Sequence, residues 1–389
     1  MTLNSFQFNT TPGLRFGSGQ AKDSCKEIFS KLGQRILFIT DKGLMSLGLT
    51  NPTIKELQKM GFVEIFDDVE SDPSQKTLLN AIEIGKKIKA TGVIGFGGGS
   101  SMDVAKLSAL ILGSNENLEE AWGVANAKGP RLPLVLIPTT AGTGSEVTPI
   151  SIITVGEEEK KGVSSALILP DLAILDPDLT LGLPASTTAA TGIDAMVHAI
   201  EGYSSSNKNN NPISKMLAIE SLKLLGDSIE QAVFEGSNVK ARGNMLIGAM
   251  LAGKAFANSP VAAVHALAYP IGGTFHISHG LSNSLVLPYV LRFNTVEAKA
   301  SKDYAELAPY VFPKIDKNKG AQAVSAEFID KLEDLSKRLG LPQKLREVDI
   351  PKEACEKMAR DAMKQTRLLV NNPRVVTEKD ALNIYQSAW

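Results

Sequence analysis

Residues 91–112 read TGVIGFGGGSSMDVAKLSALIL. A short apolar run, VIGF (93–96), passes into three glycines, and the residues beyond them place apolar side chains at helical spacing. A strand buried on both faces looks like this, continuous rather than alternating. A strand that feeds directly into a helix is the repeating unit of a parallel sheet covered by helices. The same grammar recurs on both sides of the stretch. RILFIT (35–40), FVEIF (62–66), LPLVLIPTT (132–140) and LAILDP (172–177) read as strands, and TIKELQKMG and residues 77–90 as helices.

After LPASTTAATG (183–192) the grammar changes. SKMLAIESLKLLGDSIEQAVFEG, ARGNMLIGAMLAGKAFA, AQAVSAEFIDKLEDLSKRLG and PKEACEKMARDAMKQTRLL all carry helical spacing, almost without strands between them. Thr377 and Asp380 form a capping pair for a last short helix, and KNNN (208–211) reads as a polar loop. The expected fold is therefore an α/β domain over residues 1–184 followed by an all-α domain over 185–389. A chain of 389 residues is long for one core, which favours the same division.

Composition narrows the function. Lys plus Arg is 41 and Asp plus Glu is 42, with no block of one sign, so nucleic acid and anionic membrane surfaces are not expected partners. The first residues, MTLNSFQFNTTPGLRFGSGQ, lack the basic and apolar regions of a signal peptide. No stretch approaches 18 uninterrupted apolar residues, the length of a membrane span. The two cysteines, Cys25 and Cys355, lie far apart without motif spacing, which suits a reducing cytoplasm.

The chain has only four histidines, and none precedes His198. In GIDAMVHAIEGY (192–203), Asp194 and His198 are four residues apart and share one helix face. HALAYPIGGTFHISHG (265–280) holds His265, His276 and His279. Pro270, Gly272 and Gly273 are expected to break that helix and fold the chain back. Asp194, His198, His265 and His279 then offer one carboxylate and three imidazoles, a donor set for Fe(II) or Zn(II). The plain alternative for any single histidine is a satisfied core residue, but the clustering of all four favours a metal.

The glycines suit a diphosphate. Gly97, Gly98 and Gly99 let backbone approach a ligand, and Ser100 opens a helix whose free N–H groups face it. The run is not a clean GxGxxG, and no acidic residue follows at the usual distance. Asp41, after RILFIT, is placed instead to accept from an adenosine ribose and to repel a 2′-phosphate. A second loop, PTTAGTGSEVT (138–148), is dense in hydroxyls: Thr139, Thr140, Thr143 and Thr148. Lys160 and Lys161 come after it, as a solvated turn or as a contact for phosphate or carboxamide. A dinucleotide beside a metal suggests hydride transfer, with the metal polarising an alcohol or carbonyl oxygen.

These residues resemble the iron-containing (group III) alcohol dehydrogenases. GGGSSMD, PTTAGTGSEVT, GIDAMVHAIEGY and HALAYPIGG…HISHG occur in that family's order along nearly the whole chain. The resemblance implies a Rossmann-like N-terminal domain, an all-helical C-terminal domain and an active site in the cleft between them. It implies that Asp194, His198, His265 and His279 bind the metal, and that Gly97, Gly98, Gly99 and Ser100 hold the diphosphate of NAD. Thr139, Thr140, Thr143, Thr148 and Lys161 then line the nicotinamide half, and Asp41 sets a preference for NAD over NADP. Many members carry a proton-moving histidine four residues after the third ligand. Here that place is Tyr269, and tyrosine as a residue type is a poor proton shuttle at neutrality, so His276 is the candidate relay, with packing as its plain alternative.

The expected activity is a metal-dependent alcohol dehydrogenase acting with NAD on short or medium aliphatic alcohols and aldehydes, as a homodimer or larger homo-oligomer. Lactaldehyde reductase and hydroxyacid–oxoacid transhydrogenase are alternatives within the family. A metal-dependent hydrolase would use the same four ligands but has no need of two nucleotide loops. A nucleotide sensor with a dead site would have lost a ligand, and none is lost.

Overall fold

In the computed structural model, which describes residues 5–156 and 159–389, the apolar runs become strands of one sheet. β1 (Gly13–Phe16), β2 (Arg35–Ile39), β3 (Phe62–Phe66), β4 (Gly92–Gly97), β6 (Leu134–Pro138) and β9 (Leu172–Leu175) lie in the order β1-β9-β6-β4-β2-β3. Every pairing in this sheet is parallel, with Phe38 opposite Ile94 and Ile94 opposite Val135. Successive residues point to opposite faces, and both faces are covered. Leu37, Ile39, Val93, Leu134 and Leu136 pack with Leu78, Ile82, Leu107 and Leu110 on one side. Ile36, Phe38, Ile94, Phe96, Val135 and Ile137 pack with Ile28, Leu32 and Leu57 on the other. Nearly continuous apolar runs in the central strands β2, β4 and β6 are the result.

The chain leaves β2 toward β3 on one side and leaves β4 toward β6 on the other. The carboxyl ends of β2 and β4 therefore flank the point where the winding reverses, which is where open α/β sheets hold ligands. Asp41 follows β2, and Gly97 ends β4 with Gly98 and Gly99 directly beyond it.

A second, three-stranded sheet contains β5 (Gly123–Val124), β7 (Ile150–Val155) and β8 (Glu159–Ser164), with β7 and β8 antiparallel. It was not expected from the sequence, because EKKGVS in β8 has no apolar run to mark it. Lys160 and Lys161 thus sit in a strand rather than a solvated turn, Lys160 beside Asp72 at 2.5 Å and Lys161 3.9 Å from Glu119.

The chain divides into two units, Asn9–Gly182 and Leu183–Trp389, the second joined by residues 5–8. The second unit is helical among its described residues, with helix Ala185–Ser204 buried along almost its whole length and helices Pro212–Phe234 and Val239–Asn258 packed on it. Asn211 caps Pro212–Phe234 through Ser214 N–H, and Thr377 with Asp380 forms the expected capping box before Glu378–Ala388.

One expectation is corrected. Pro270 does not break its helix, which runs from Ala263 to Phe275 with the proline inside. A proline removes a single intrahelical hydrogen bond, and residues 263–268, 270 and 271 are buried among neighbouring helices that hold the segment together. The chain turns only at His276, in the left-handed conformation with φ 56°.

Among the described residues no single helix is long and apolar enough to cross a membrane. Val239–Asn258 and Ala263–Phe275 meet that test only as a pair, bent by 108°.

Candidate active site

Asp194 and His198 stand one turn apart on helix Ala185–Ser204, His265 on Ala263–Phe275, and His279 at the first position of His279–Asn294. One ligand atom from each lies within 4.8 Å of all the others. Asp194 Oδ1 is 3.6 Å from His279 Nε2 and 3.9 Å from His265 Nε2. Gly280 makes the approach possible, since a Cβ there would meet the Ala190 carbonyl oxygen at 2.4 Å. Asp194, His198 and His265 are buried, while 40% of the His279 side chain stays accessible. The group is thus closed on three sides and open at His279, as a catalytic centre needs.

Burial pushes the Asp194 carboxyl upward, but His198, His279, His265 and the Asn283 amide outweigh it and hold the group below the usual carboxylate range. The ionised form is the one that ligates. The donor set is one carboxylate oxygen and three imidazole nitrogens without sulfur, which fits Fe(II) or Zn(II).

Two residues that sequence reasoning missed complete the centre. Glu201 accepts from Val264 N–H at 2.7 Å and lies 2.7 Å from His265 Nδ1. A proton on Nδ1 leaves Nε2 as the ligating atom, the orienting arrangement seen around metal-bound histidines. Asn283 Nδ2 donates to Asp194 Oδ1 at 2.6 Å and lies 3.3 Å from Nε2 of both His265 and His279. Their spacing was visible. Glu201 is three residues after His198 and Asn283 four after His279, on the same helix faces. Glu201→Gln keeps the shape and loses the charge, so the affinity for Fe(II) or Zn(II) should fall about 10- to 100-fold in chelator competition. Wild-type affinity in that variant would reduce Glu201 to a packing residue.

His276 has an exposed side chain at the C-terminal cap of its helix. The Tyr269 ring centroid lies 6.2 Å from that of His279, and the Tyr269 hydroxyl accepts from Arg367 Nη2 at 3.1 Å.

In the other unit, Gly98 caps helix Gly99–Ser114 with no side chain of its own, leaving the first-turn N–H groups without a capping oxygen. Ser100 lies in that turn, partly exposed. A Cβ on Gly99 would come within 3.1 Å of Thr143, so the glycine loop and the hydroxyl loop touch. Thr140 and Thr143 are partly exposed, whereas Thr139 and Thr148 are buried. Asp41 caps helix Lys42–Ser46, its Oδ1 accepting from Leu44 N–H at 2.9 Å.

Lys106 was also missed. It is fully buried and donates to Ser145 Oγ at 2.7 Å, Thr148 Oγ1 at 3.2 Å and the Ile150 carbonyl at 2.7 Å. Asp103 lies 3.7 Å away and accepts from Ser145 Oγ at 2.7 Å and Ile152 N–H at 2.9 Å. The pair bolts the glycine-led helix to the hydroxyl loop. Burial pushes the Lys106 amine down to about 8 despite Asp103 and Glu146 nearby.

Known proteins share this fold. The iron-containing alcohol dehydrogenase family matches residues 12–177, and its C-terminal domain matches residues 188–389. Long-chain-alcohol dehydrogenase 1 of Geobacillus thermodenitrificans is 40% identical over 367 residues, covering 92% of this chain and 91% of the relative. The crystal structure of a 1,3-propanediol oxidoreductase superposes with a TM-score of 0.94 at 31% identity, covering 99% of this chain and all of the other. Sulfoacetaldehyde reductase from Bifidobacterium kashiwanohense, solved in complex with NAD+, superposes with a TM-score of 0.85 at 30% identity, covering 99% of this chain and 98% of the other. Two domain matches that together span most of the chain, on a fold shared from end to end, place this oxidoreductase in the iron-containing alcohol dehydrogenase family.

Proposed function

We propose that the chain is an NAD-dependent, divalent-metal-dependent alcohol dehydrogenase, catalysing R–CHO + NADH + H⁺ ⇌ R–CH2OH + NAD⁺ on short or medium aliphatic substrates. The observation that carries the reading is the convergence of Asp194, His198, His265 and His279 within 4.8 Å, buried except at one face. When bound, a divalent ion supplies a Lewis acid for the substrate oxygen and NAD supplies the hydride acceptor. Asp194 and the three imidazoles hold the ion, Fe(II) in the first instance and Zn(II) as the other candidate. Glu201 fixes the His265 ring, and the stacking of His198 on Phe256, with centroids 4.3 Å apart, keeps that side dry.

Gly97, Gly98, Gly99 and Ser100 take the diphosphate at the helix start, which supports NAD as coenzyme. The position of Asp41 at the winding reversal supports contact with the adenosine ribose and rejection of NADP. Thr139, Thr140, Thr143, Thr148 and Lys161 form the nicotinamide half. The NAD+ complex of the sulfoacetaldehyde reductase supports the same coenzyme here. Relatives act on long-chain alcohols and 1,3-propanediol by their names, which supports an aliphatic alcohol or aldehyde without fixing its length. Both cysteines are buried free thiols, which supports a reducing cytoplasm, and a homodimer or larger homo-oligomer is the proposed assembly.

The test is to load the purified chain with Fe(II) or Zn(II) and follow NADH formation with a panel of alcohols, using NAD and NADP in parallel. Turnover with NAD supports the reading, and its absence with every alcohol and either metal refutes it.

His276 carries the proton in this scheme. Oxidation releases a proton, and an exposed imidazole at the helix end passes it to water. His276→Ala should lower kcat for oxidation by roughly 10²-fold near neutral pH. The deficit should shrink as pH rises, because hydroxide then takes the proton directly. A wild-type kcat across the neutral range would return His276 to packing.

A further inference from the structure

Arg367 has no role in the scheme above, yet it is fixed at the edge of the metal-ligand group. Its backbone carbonyl accepts from Asn371 Nδ2 at 3.0 Å. Asn371 is buried and also donates to the Val261 carbonyl at 3.0 Å, just before the helix that carries His265. The Arg367 guanidinium carbon stands 5.9 Å from the Tyr269 ring centroid, and Nη2 donates to the Tyr269 hydroxyl. Tyr269 in turn lies one helical turn beyond His265 with its ring 6.2 Å from that of His279, the open side of the centre. Among the described residues the Tyr269 hydroxyl is the only hydrogen-bond partner of this guanidinium, and no carboxylate lies within 4 Å of it.

A guanidinium has five N–H donors in a planar fork that matches a carboxylate or sulfonate. Held by one neutral hydroxyl, Arg367 keeps most of that fork for something else. A plain alkyl chain gains nothing from it, but an anion does. We infer that Arg367, seated on Tyr269, binds an anionic group at the far end of the substrate. The class is then short aldehydes and alcohols ending in a carboxylate or sulfonate. Tyr269 thereby exchanges the proton-moving role of a histidine for a seat under the cation. The inference rests on the proposed alcohol–aldehyde chemistry at the four-ligand centre.

The experiment compares matched aldehydes on the metal-loaded enzyme with NADH: succinic semialdehyde against pentanal, and sulfoacetaldehyde against propanal. Wild type should favour the anionic member in kcat/KM, and Arg367→Ala should reduce that ratio by roughly 10- to 100-fold, the worth of a charge-assisted hydrogen bond. Arg367→Lys should keep part of the preference. Butanoate, which cannot be reduced, should bind wild type more tightly than Arg367→Ala in calorimetry. A ratio unchanged by Arg367→Ala, whether because both substrates lose equally or neither loses, overturns the inference while leaving the dehydrogenase reading intact. Failure to reduce any of the four aldehydes overturns the dehydrogenase reading itself, and the inference with it. Between the two anions, the larger ratio identifies carboxylate or sulfonate as the preferred end group.

Discussion

Asp194→Ala or His198→Ala should leave a folded chain that holds no stoichiometric metal and turns over at least on the order of 10³-fold more slowly. The magnitude follows from the Lewis-acid contribution of several kcal/mol at the substrate oxygen. Both residues sit on a helix buried along its length, so the shape of the unit survives the change while the donor set does not. NAD binding should persist, because the residues proposed to hold it, in the glycine loop, the hydroxyl loop and Asp41, belong to the other unit. The measurements are elemental analysis, steady-state kinetics and coenzyme titration on the same preparations. Full metal content in either variant would remove that residue from the centre.

Lys106→Met should have the largest effect on stability. Removing one partner of a buried ion pair leaves the other charge uncompensated, at a cost of about 3–5 kcal/mol. Here Asp103 would be left, together with the Ser145 hydroxyl and the Ile150 carbonyl that Lys106 serves. NAD affinity should fall as well, because the two loops proposed to hold the coenzyme lose their common anchor. The pH dependence has a definite sign. With the Lys106 amine pushed down from 10.5 to about 8, the unfolded chain binds a proton between those values that the folded chain does not. Unfolding free energy should therefore gain from this group as pH rises through that window, and the gain should vanish in Lys106→Met. Denaturant titrations of both proteins at several pH values read this directly. Equal stabilities would show that the buried amine contributes nothing.

The sheet was legible in the sequence wherever a strand is buried on both faces. RILFIT, FVEIF, LPLVLIPTT and LAILDP contain the observed strands, and VIGF lies inside β4, one residue short at each end. β8 was not legible, because a sheet partly open to solvent tolerates EKKGVS, whereas ISIITV in β7 has the β-branched composition of a strand and was missed. The Pro270 helix was misjudged for a related reason. Proline weakens a helix locally, but the burial around residues 263–271 is set by distant segments, such as the Tyr385 hydroxyl that donates to the Leu267 carbonyl at 2.6 Å.

The ligand residues stood out because histidine is rare in this chain and falls in two short motifs. Glu201 and Asn283 were within reach by helical spacing, but polar residues on helices have too many uses to single them out. Asp103 and Lys106 were visible as a charged pair three apart in an otherwise apolar helix. Of their partners, Ser145 belongs to the hydroxyl loop, while Ile150 and Ile152 come from a segment the sequence left unassigned. Arg367 meets Tyr269 across 98 residues, and nothing local announces that contact.

The central claim is that one ion in the Asp194–His198–His265–His279 centre makes this chain a dehydrogenase. The most direct measurement is a titration of the metal-depleted protein with Fe(II), without oxygen, in the presence of NADH and an aldehyde. Turnover should be absent at the start, rise in proportion to added iron and stop rising at one equivalent per chain, the capacity of a single four-ligand group. Full turnover before any metal is added, or none at several equivalents, would contradict the account.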